Sequence, residues 1–329
     1  MVVALICVAT VAQAQNTGLR IATFNAELTR KGPGLLLRDI LRGEDPQIDA
    51  FRSVMSQVRP DIIALQGIDF DLRGAALEAL ADDLATAGLV YPYRFTTAPN
   101  AGQASGLDLN GNGRLGDADD AHGYGRFNGN GGMAVLSRFP VLEENVEDYS
   151  AMLWRDLPDN MYPMWDGTPF GGEAVFDAHR LSSRGHWVVP VATPDFGTLR
   201  LMTYHATPPV YDGPEDRNGR RNNDETAFWL DYLARDNGPP FAVLGTANID
   251  PRRGSGRRDA IKALLRHRRL QNPFDDTPTA DFREPFPGDL RVDYLLPSTA
   301  WQVLGHGIVT DRTASRHSLL WADIAPRYP

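Results

Sequence analysis

Cysteine is nearly absent from this chain: Cys7 is the only one in 329 residues. It lies in an apolar leader, so a chain that has lost the leader has no disulfide and no thiolate metal site. Long apolar runs are also missing. The one candidate, residues 2–12, is too short to anchor stably across a bilayer. Ala12-Gln13-Ala14 has the small-x-small form of a signal-peptidase site. Residues 1–14 therefore read as a signal peptide, and the expected location is secreted or periplasmic, with no stable membrane anchor. No Lys or Arg precedes the run. That leaves two alternatives open: a start placed too far downstream, or a buried terminal strand. The pair Leu5-Ile6 lacks the small residue that usually precedes a lipidated cysteine. Basic charge is in deficit too, with 33 Lys and Arg against 42 Asp and Glu, a formal charge of -9. Non-specific nucleic-acid binding rests on basic surface, so a general polyanion binder is disfavoured, while a nuclease with a locally basic cleft stays open. What is present suits a folded protein: 42% hydrophobic and 23% charged residues. No low-complexity linker forces a break, so residues 15–329 read as one domain.

Along the chain, strands and helices are interleaved. Residues 19–24 form a β-rich run. Ile48, Phe51, Val54, Met55 and Val58 share one helical face, and Pro60 ends that helix before a short buried strand at 61–65. Helical spacing returns over residues 72–87, and 91–95 reads as a strand. Residues 99–132 form a long Gly-, Asn- and Asp-rich loop, and such loops are usually functional or disordered. Residues 133–136 return to strand, and 147–172 show no clear period. The second half repeats the rhythm. Strands at 187–191 and 199–204 pair across a turn at Asp195-Phe-Gly197. A helix at 224–233 is capped by Asn222 or Asn223. A strand at 241–244, a basic helix at 258–266, and strands at 292–296, 301–309 and 319–324 follow. The expected class is α/β, with two sheets packed together and helices outside.

Seven segments, in order, carry a resemblance. They are Ile21-Ala-Thr-Phe-Asn25, Arg59-Pro-Asp-Ile-Ile-Ala-Leu-Gln66, Gly132-Met-Ala-Val-Leu-Ser-Arg-Phe-Pro140, Tyr204-His-Ala-Thr-Pro208, Val243-Leu-Gly-Thr-Ala-Asn-Ile-Asp-Pro251, Arg291-Val-Asp-Tyr-Leu-Leu-Pro-Ser298 and Ser315-Arg-His317. Together they resemble the endonuclease/exonuclease/phosphatase (DNase I-like) family. The resemblance implies a four-layer sandwich of two mixed β-sheets flanked by helices, and hydrolysis of a phosphoester with a divalent metal, usually magnesium. It also implies site residues: Asn25 supporting the metal, His205 contacting phosphate, Asn248 from the Gly-Asp-x-Asn motif, and Asp293 orienting the final histidine, His317. An Asp-His pair keeps one tautomer and favours the charged imidazolium.

The chain departs from that pattern at three acidic positions. The metal-binding Glu is replaced by Gly67, the nucleophile-positioning Asp by Thr246, and the Asp before the last histidine by Arg316. Glycine has no ligand atom, threonine is a poor base and arginine repels a cation. Magnesium or manganese at the cleft is therefore doubtful, unless Asp69, Asp71 or Asp250 supplies a missing carboxylate. Asp69 and Asp71 read more simply as solvated loop charges. Arg316 has the planar fork to bind phosphate directly. Arg217, Arg220 and Arg221, and Arg252, Arg253, Arg257 and Arg258, either line the cleft or form a solvated basic face.

The long loop carries a second pattern, similar to calcium loops of the EF-hand type. Asp108, Asn110 and Asn112 occupy first, third and fifth positions. Gly113 takes the sharp turn, Arg114 offers a carbonyl at the seventh, and Asp119 closes the twelfth. Calcium is expected there, within an insertion near residues 100–131; an ion-free Asn/Gly turn is the alternative. The functional expectation is an exported protein that hydrolyses or binds a phosphoester. The alternative is a non-catalytic phosphoester-binding or calcium-stabilised interaction protein.

Overall fold

Fifteen strands and six helices alternate along the chain in a computed structural model that describes residues 18–71, 73–283 and 287–327. The expected signal peptide, 1–14, and Cys7 lie outside the described residues. The first half holds β1 (Leu19–Leu28), α1 (Leu35–Arg42), α2 (Pro46–Val58), β2 (Ile62–Ile68), α3 (Ala75–Thr86), β3 (Tyr93–Phe95), β4 (Gly132–Ser137) and β5 (Glu147–Asp148). A small hairpin, β6 (Met164–Trp165) and β7 (Thr168–Pro169), and the one-turn α4 (Glu173–Phe176) follow. The second half holds β8 (His186–Thr193), β9 (Gly197–His205), α5 (Arg217–Arg235), β10 (Phe241–Thr246) and α6 (Asp259–Leu265). It closes with β11 (Ala280–Phe282), β12 (Gly288–Leu290), β13 (Asp293–Pro297), β14 (Trp301–Val309) and β15 (Leu319–Pro326).

One sheet runs β14-β15-β1-β2-β4-β3 and the other β13-β10-β9-β8-β5. Each is antiparallel except for a single parallel pair, β1 with β2 and β9 with β10. Side-chain alternation explains the layering. On β1, Leu19 and Ile21 join the cluster between the sheets, while Ala22, Phe24, Ala26 and Leu28 join the one under α1, α2 and α3. On β10, Ala242 and Leu244 face inward, while Val243 packs beneath α5 and α6. The result is helices, sheet, sheet, helices, the expected four-layer α/β sandwich.

Three local expectations need correction. The segment before α2, read only as Gly- and Pro-containing, holds α1 between left-handed glycines Gly34 and Gly43. The second-half helix starts at Arg217, not at 224, so Asn222 and Asn223 are interior residues and not caps. Its first half buries Arg217, Arg221, Asn222, Asn223, Asp224 and Glu225, so it shows no apolar stripe by which to be recognised. Asp69 and Asp71, expected to be solvated, are buried.

Candidate active site

The inward face changes character at one end of both sheets. The apolar row of β10 stops at Thr246, and in register beside it stand His205 of β9 and Asp293 of β13. On β1 the same parity that buries Leu19 and Ile21 continues through Thr23 and Asn25; Glu27 follows at a bulge, with φ 48. His317 sits two residues before β15, which pairs antiparallel with β1 and so returns to the same end. Fold geometry therefore gathers these polar groups at the mouth of the sandwich.

They border one cleft of about 500 Å³, lined by Asn25, Glu27, Arg184, His205, Asn248, Arg316 and His317. Its other wall is apolar: Pro208, Pro209, Val210, Phe282 and Leu290, with Tyr211 largely exposed. Asp293, buried beneath, accepts from Thr246 Oγ1 at 2.7 Å through Oδ1, and from Thr279 Oγ1 at 3.0 Å through Oδ2. The same Oδ2 lies 2.8 Å from His317 Nδ1. His317 Nε2 lies 3.4 Å from Asn25 Nδ2. Burial disfavours a charged His317 ring, but the carboxylate of Asp293, helped by Glu27, outweighs it and raises the pKa. His205 is tuned the other way: burial, with the charges of Arg184 and His317, holds its pKa well below the ordinary value. Its Nδ1 has no partner among the described residues. The two imidazoles of one cleft are thus tuned in opposite directions.

Asn248, at φ 54, donates Nδ2 to Ala206 O at 2.8 Å, tying β10 to β9 at the rim. Glu225 braces the rim from α5, accepting from Ser183 N and Thr207 N at 2.6 Å each. Ser183 Oγ in turn donates to the carbonyl of His205.

Two cleft residues escaped the sequence reading. Glu27 follows Asn25 across a bulge in β1, at φ 48, so strand alternation gives no signal for it. Arg184 sits in an irregular segment outside any motif; its Nη1 donates to Tyr124 O and Ser183 O, and its Nε is buried without a partner among the described residues. Glu27 Oε1 accepts from Arg316 Nε at 2.9 Å, and its Oε2 from Arg316 N and Ser315 Oγ. Burial opposes ionisation of Glu27, but the Arg316 hydrogen bond and nearby positive charge prevail and lower its pKa.

The expected rescue carboxylates do not reach a cation position. Asp69 is spent on Arg30 N, Gly131 N and Asn130 Nδ2. Asp71 accepts from Ala76 N at the start of α3 and borders a different cavity. Asp250 borders the cleft, but it accepts from Arg252 N, Arg253 N and Arg291 N. Among the described residues no three His, Cys, Asp or Glu side chains are grouped to hold a metal ion. Gly67 marks the reason: at φ +69, a Cβ there would lie 2.5 Å from Asn25 Oδ1. The residues present do not fit a divalent ion held in the family's manner.

The two arginine clusters also need correction. Arg221 is buried and donates to the carbonyls of Leu181, His122, Arg180 and Ser182. Arg217 donates to Leu109 O and Arg220 to Glu215 O. Arg252 pairs with Asp276, Arg257 with Asp216, and Arg258 donates to Asp250 O. None of these residues lines the cleft.

In the loop, Asp108 Oδ1 accepts from Gly111 N and Asn112 N, and Oδ2 from Gly113 N at 2.7 Å. Asn110 Oδ1 accepts from Asn112 N, and Asn112 Oδ1 from Arg114 N. Burial, with Asp117 and Asp120 nearby, raises the pKa of Asp119 against the pull of Arg217. Asp120, which the pattern left out, is buried and closes the loop by accepting from Leu109 N and Gly116 N.

A two-sheet α/β sandwich with imidazole, amide and guanidinium groups at one mouth defines a class of scaffold, and comparison supplies its family. The Endonuclease/Exonuclease/phosphatase family model matches residues 22–317, so the chain belongs to that family. No curated protein matches the sequence. Among solved structures, an endonuclease/exonuclease/phosphatase from Beutenbergia cavernae is similar at 19% identity and TM-score 0.60, covering 94% of this chain and 72% of that one. The human Nocturnin catalytic domain, with bound sulfate, gives 14% and 0.53, covering 94% and 95%. Staphylococcus aureus beta toxin, with bound magnesium ions, gives 13% and 0.50, covering 93% and 99%. At these identities the likeness establishes the shared fold.

Proposed function

We propose that this protein is a phosphoester hydrolase that takes its substrate in the cleft at the sandwich mouth. The observation that carries the reading is a pair of imidazoles opening on one cavity beside Arg184 and Arg316: His317, paired with Asp293 at 2.8 Å and raised in pKa, and His205, lowered in pKa by burial. Groups whose environments push their pKa values apart mark acid and base roles. In the hydrolysis, water attacks phosphorus as neutral His205 takes the water proton. His317 gives its proton to the leaving oxygen, and the bond from phosphorus to that oxygen breaks. Arg184 and Arg316 offset the charge on the non-bridging oxygens. The apolar wall of Pro208, Pro209, Val210 and Phe282 suits a substrate with an apolar or ring-bearing group next to its phosphate.

Turnover of bis(p-nitrophenyl) phosphate tests this. The reading requires hydrolysis by the wild type that is lost by ~10²-fold or more in His317→Ala. Binding without turnover would instead support a non-catalytic phosphoester-binding protein. The hydrogen bond from Thr246 to Asp293, where the family places a nucleophile-positioning carboxylate, favours that second reading.

Residues 1–14 act as a signal peptide, so the mature chain of 15–329 is secreted or periplasmic; an intact N-terminus on protein recovered from its native host would contradict this. The loop near 100–131 binds one Ca²⁺ through Asp108, Asn110, Asn112, the Arg114 carbonyl and Asp119, in a structural and not a catalytic role. Its affinity falls in the extracellular range of roughly 10⁻⁴ to 10⁻³ M. Support comes from the spacing of Asp108, Asn110, Asn112, Gly113, Arg114 and Asp119 along one loop. Calorimetry should show uptake of about that strength, lost in Asp108→Ala; no heat up to millimolar Ca²⁺ removes the site.

A further inference from the structure

We infer that the cleft binds its phosphoester without a divalent metal, with the guanidinium groups of Arg316 and Arg184 standing where a cation would otherwise carry the positive charge. The inference rests on the phosphoester reading above and adds how that site handles charge.

Four observations support it independently of any ion. First, every carboxylate oxygen bordering the cleft or lying beneath it already has a protein donor. Glu27 is taken by Arg316 and Ser315, Asp250 by three backbone N–H groups, and Asp293 by Thr246, Thr279 and His317. A hard dication needs several oxygens of its own, and each of these is already engaged by a protein donor. Second, Gly67 leaves no room for the missing acid, because a Cβ meets Asn25 Oδ1 at 2.5 Å. Third, Arg316 is fixed as a cation at the cleft wall. Its Nε and Nη2 clamp Glu27, its guanidinium carbon lies 5.6 Å over the Phe282 ring, and its Nη1 makes no hydrogen bond to the described residues. Fourth, Arg184 lines the same cavity, its Nη1 held by the carbonyls of Tyr124 and Ser183 and its Nε buried with no partner among the described residues. A guanidinium keeps its charge at any working pH, and with the Nε–Nη2 edge of Arg316 taken by Glu27, its Nη1 is the donor left for a phosphoryl oxygen. A fixed positive charge in this position also repels an incoming dication.

The logic yields an inverse variant. Arg316→Asp removes the cation, frees Glu27 Oε1 and adds a second carboxylate next to it, while the backbone N–H of residue 316 still holds Glu27 Oε2. That variant should acquire a divalent-metal site which the wild type does not have.

Phenyl phosphate is the probe, titrated calorimetrically into the wild-type chain in excess EDTA and again in excess Mg²⁺. The expected result is equal binding in both, and a loss of ~10-fold or more in Arg316→Ala and in Arg184→Ala. Manganese electron paramagnetic resonance gives the second readout: no immobilised Mn²⁺ at the wild-type cleft, and a bound Mn²⁺ in Arg316→Asp, with urea unfolding to confirm that the variant is folded. Phenyl phosphate binding that appears only with Mg²⁺ overturns this inference and leaves the phosphoester reading standing. Tight Mn²⁺ in the wild type that is lost in Glu27→Ala overturns it as well. No binding under either condition overturns both readings together.

Discussion

Replacing Asp293 is the perturbation whose size the structure defines best. The carboxylate is 1% exposed and has three partners, His317 Nδ1 at 2.8 Å, Thr246 Oγ1 at 2.7 Å and Thr279 Oγ1 at 3.0 Å. Asp293→Ala leaves a buried imidazole without its carboxylate partner and two buried hydroxyls without an acceptor. Breaking one side of a buried ion pair costs about 3–5 kcal/mol, and unfolding in urea should register a loss of that order. The pH dependence supplies a sign that a merely disrupted core would not give. In the wild type the His317 pKa lies above its unfolded value of about 6.5. Its contribution to stability is therefore complete below pH ~6.5 and declines as pH rises through the folded value. The facing groups are Asp293 and Glu27, which raise it, and Arg316, which lowers it, with His205 neutral. In Asp293→Asn the raising partner is neutral and burial dominates, so the folded pKa drops below the unfolded one. The contribution is then complete above pH ~6.5 and is lost as pH falls through the folded value. Other histidines with lowered pKa, His122, His179, His186 and His205, are common to both proteins, so the prediction concerns the difference: urea titrations should show a penalty for Asp293→Asn that grows as pH falls through ~6.5. Equal slopes, or a loss under about 1 kcal/mol in Asp293→Ala, would refute the buried-pair argument.

Gly67→Ala should cost about 2 kcal/mol, part from a left-handed backbone at φ +69 and part from displacing Asn25; in an Asn25→Ala background the double-mutant cycle should recover the second part. Asp236 sits 7% exposed between Arg200 and Arg269; burial works against it, but those partners and Gly238 N lower its pKa to about 2. Its share of stability, roughly 2 kcal/mol, is present above pH ~4 and is lost as pH falls through about 2, so Asp236→Asn should flatten acid unfolding in that window.

How far the sequence alone reaches is visible element by element. The core strands were legible because their residues are apolar and β-branched on both faces, as in Ile62-Ile63-Ala64-Leu65, which is buried throughout. The first half of α5 was not, because its buried face is made of Arg217, Arg221, Asn222, Asp224 and Glu225, and hydrophobic periodicity is silent on buried polar groups. The convergence of His205, Asp293 and His317 was implied by motif order; the register at Thr246 is what makes it physical. Glu27 carries no periodic signal, because a bulge between Asn25 and Leu28 interrupts the strand alternation that would place it. Arg184 carried no local signal, since its role depends on a cavity formed by residues distant in sequence. Arg217 and Arg221 were weighed as cleft cations, but long-range partners, carbonyls of Leu109, Leu181 and His122, claim them instead.

The central claim is that one anion site exists at the mouth of the sandwich. A crystal structure of the chain soaked with tungstate in the presence of EDTA tests it most directly. The account predicts a single strong anomalous peak in contact with His317, Arg184 and Arg316, and its disappearance in Arg316→Ala. A peak elsewhere with the cleft clear, or none at saturating tungstate, contradicts it.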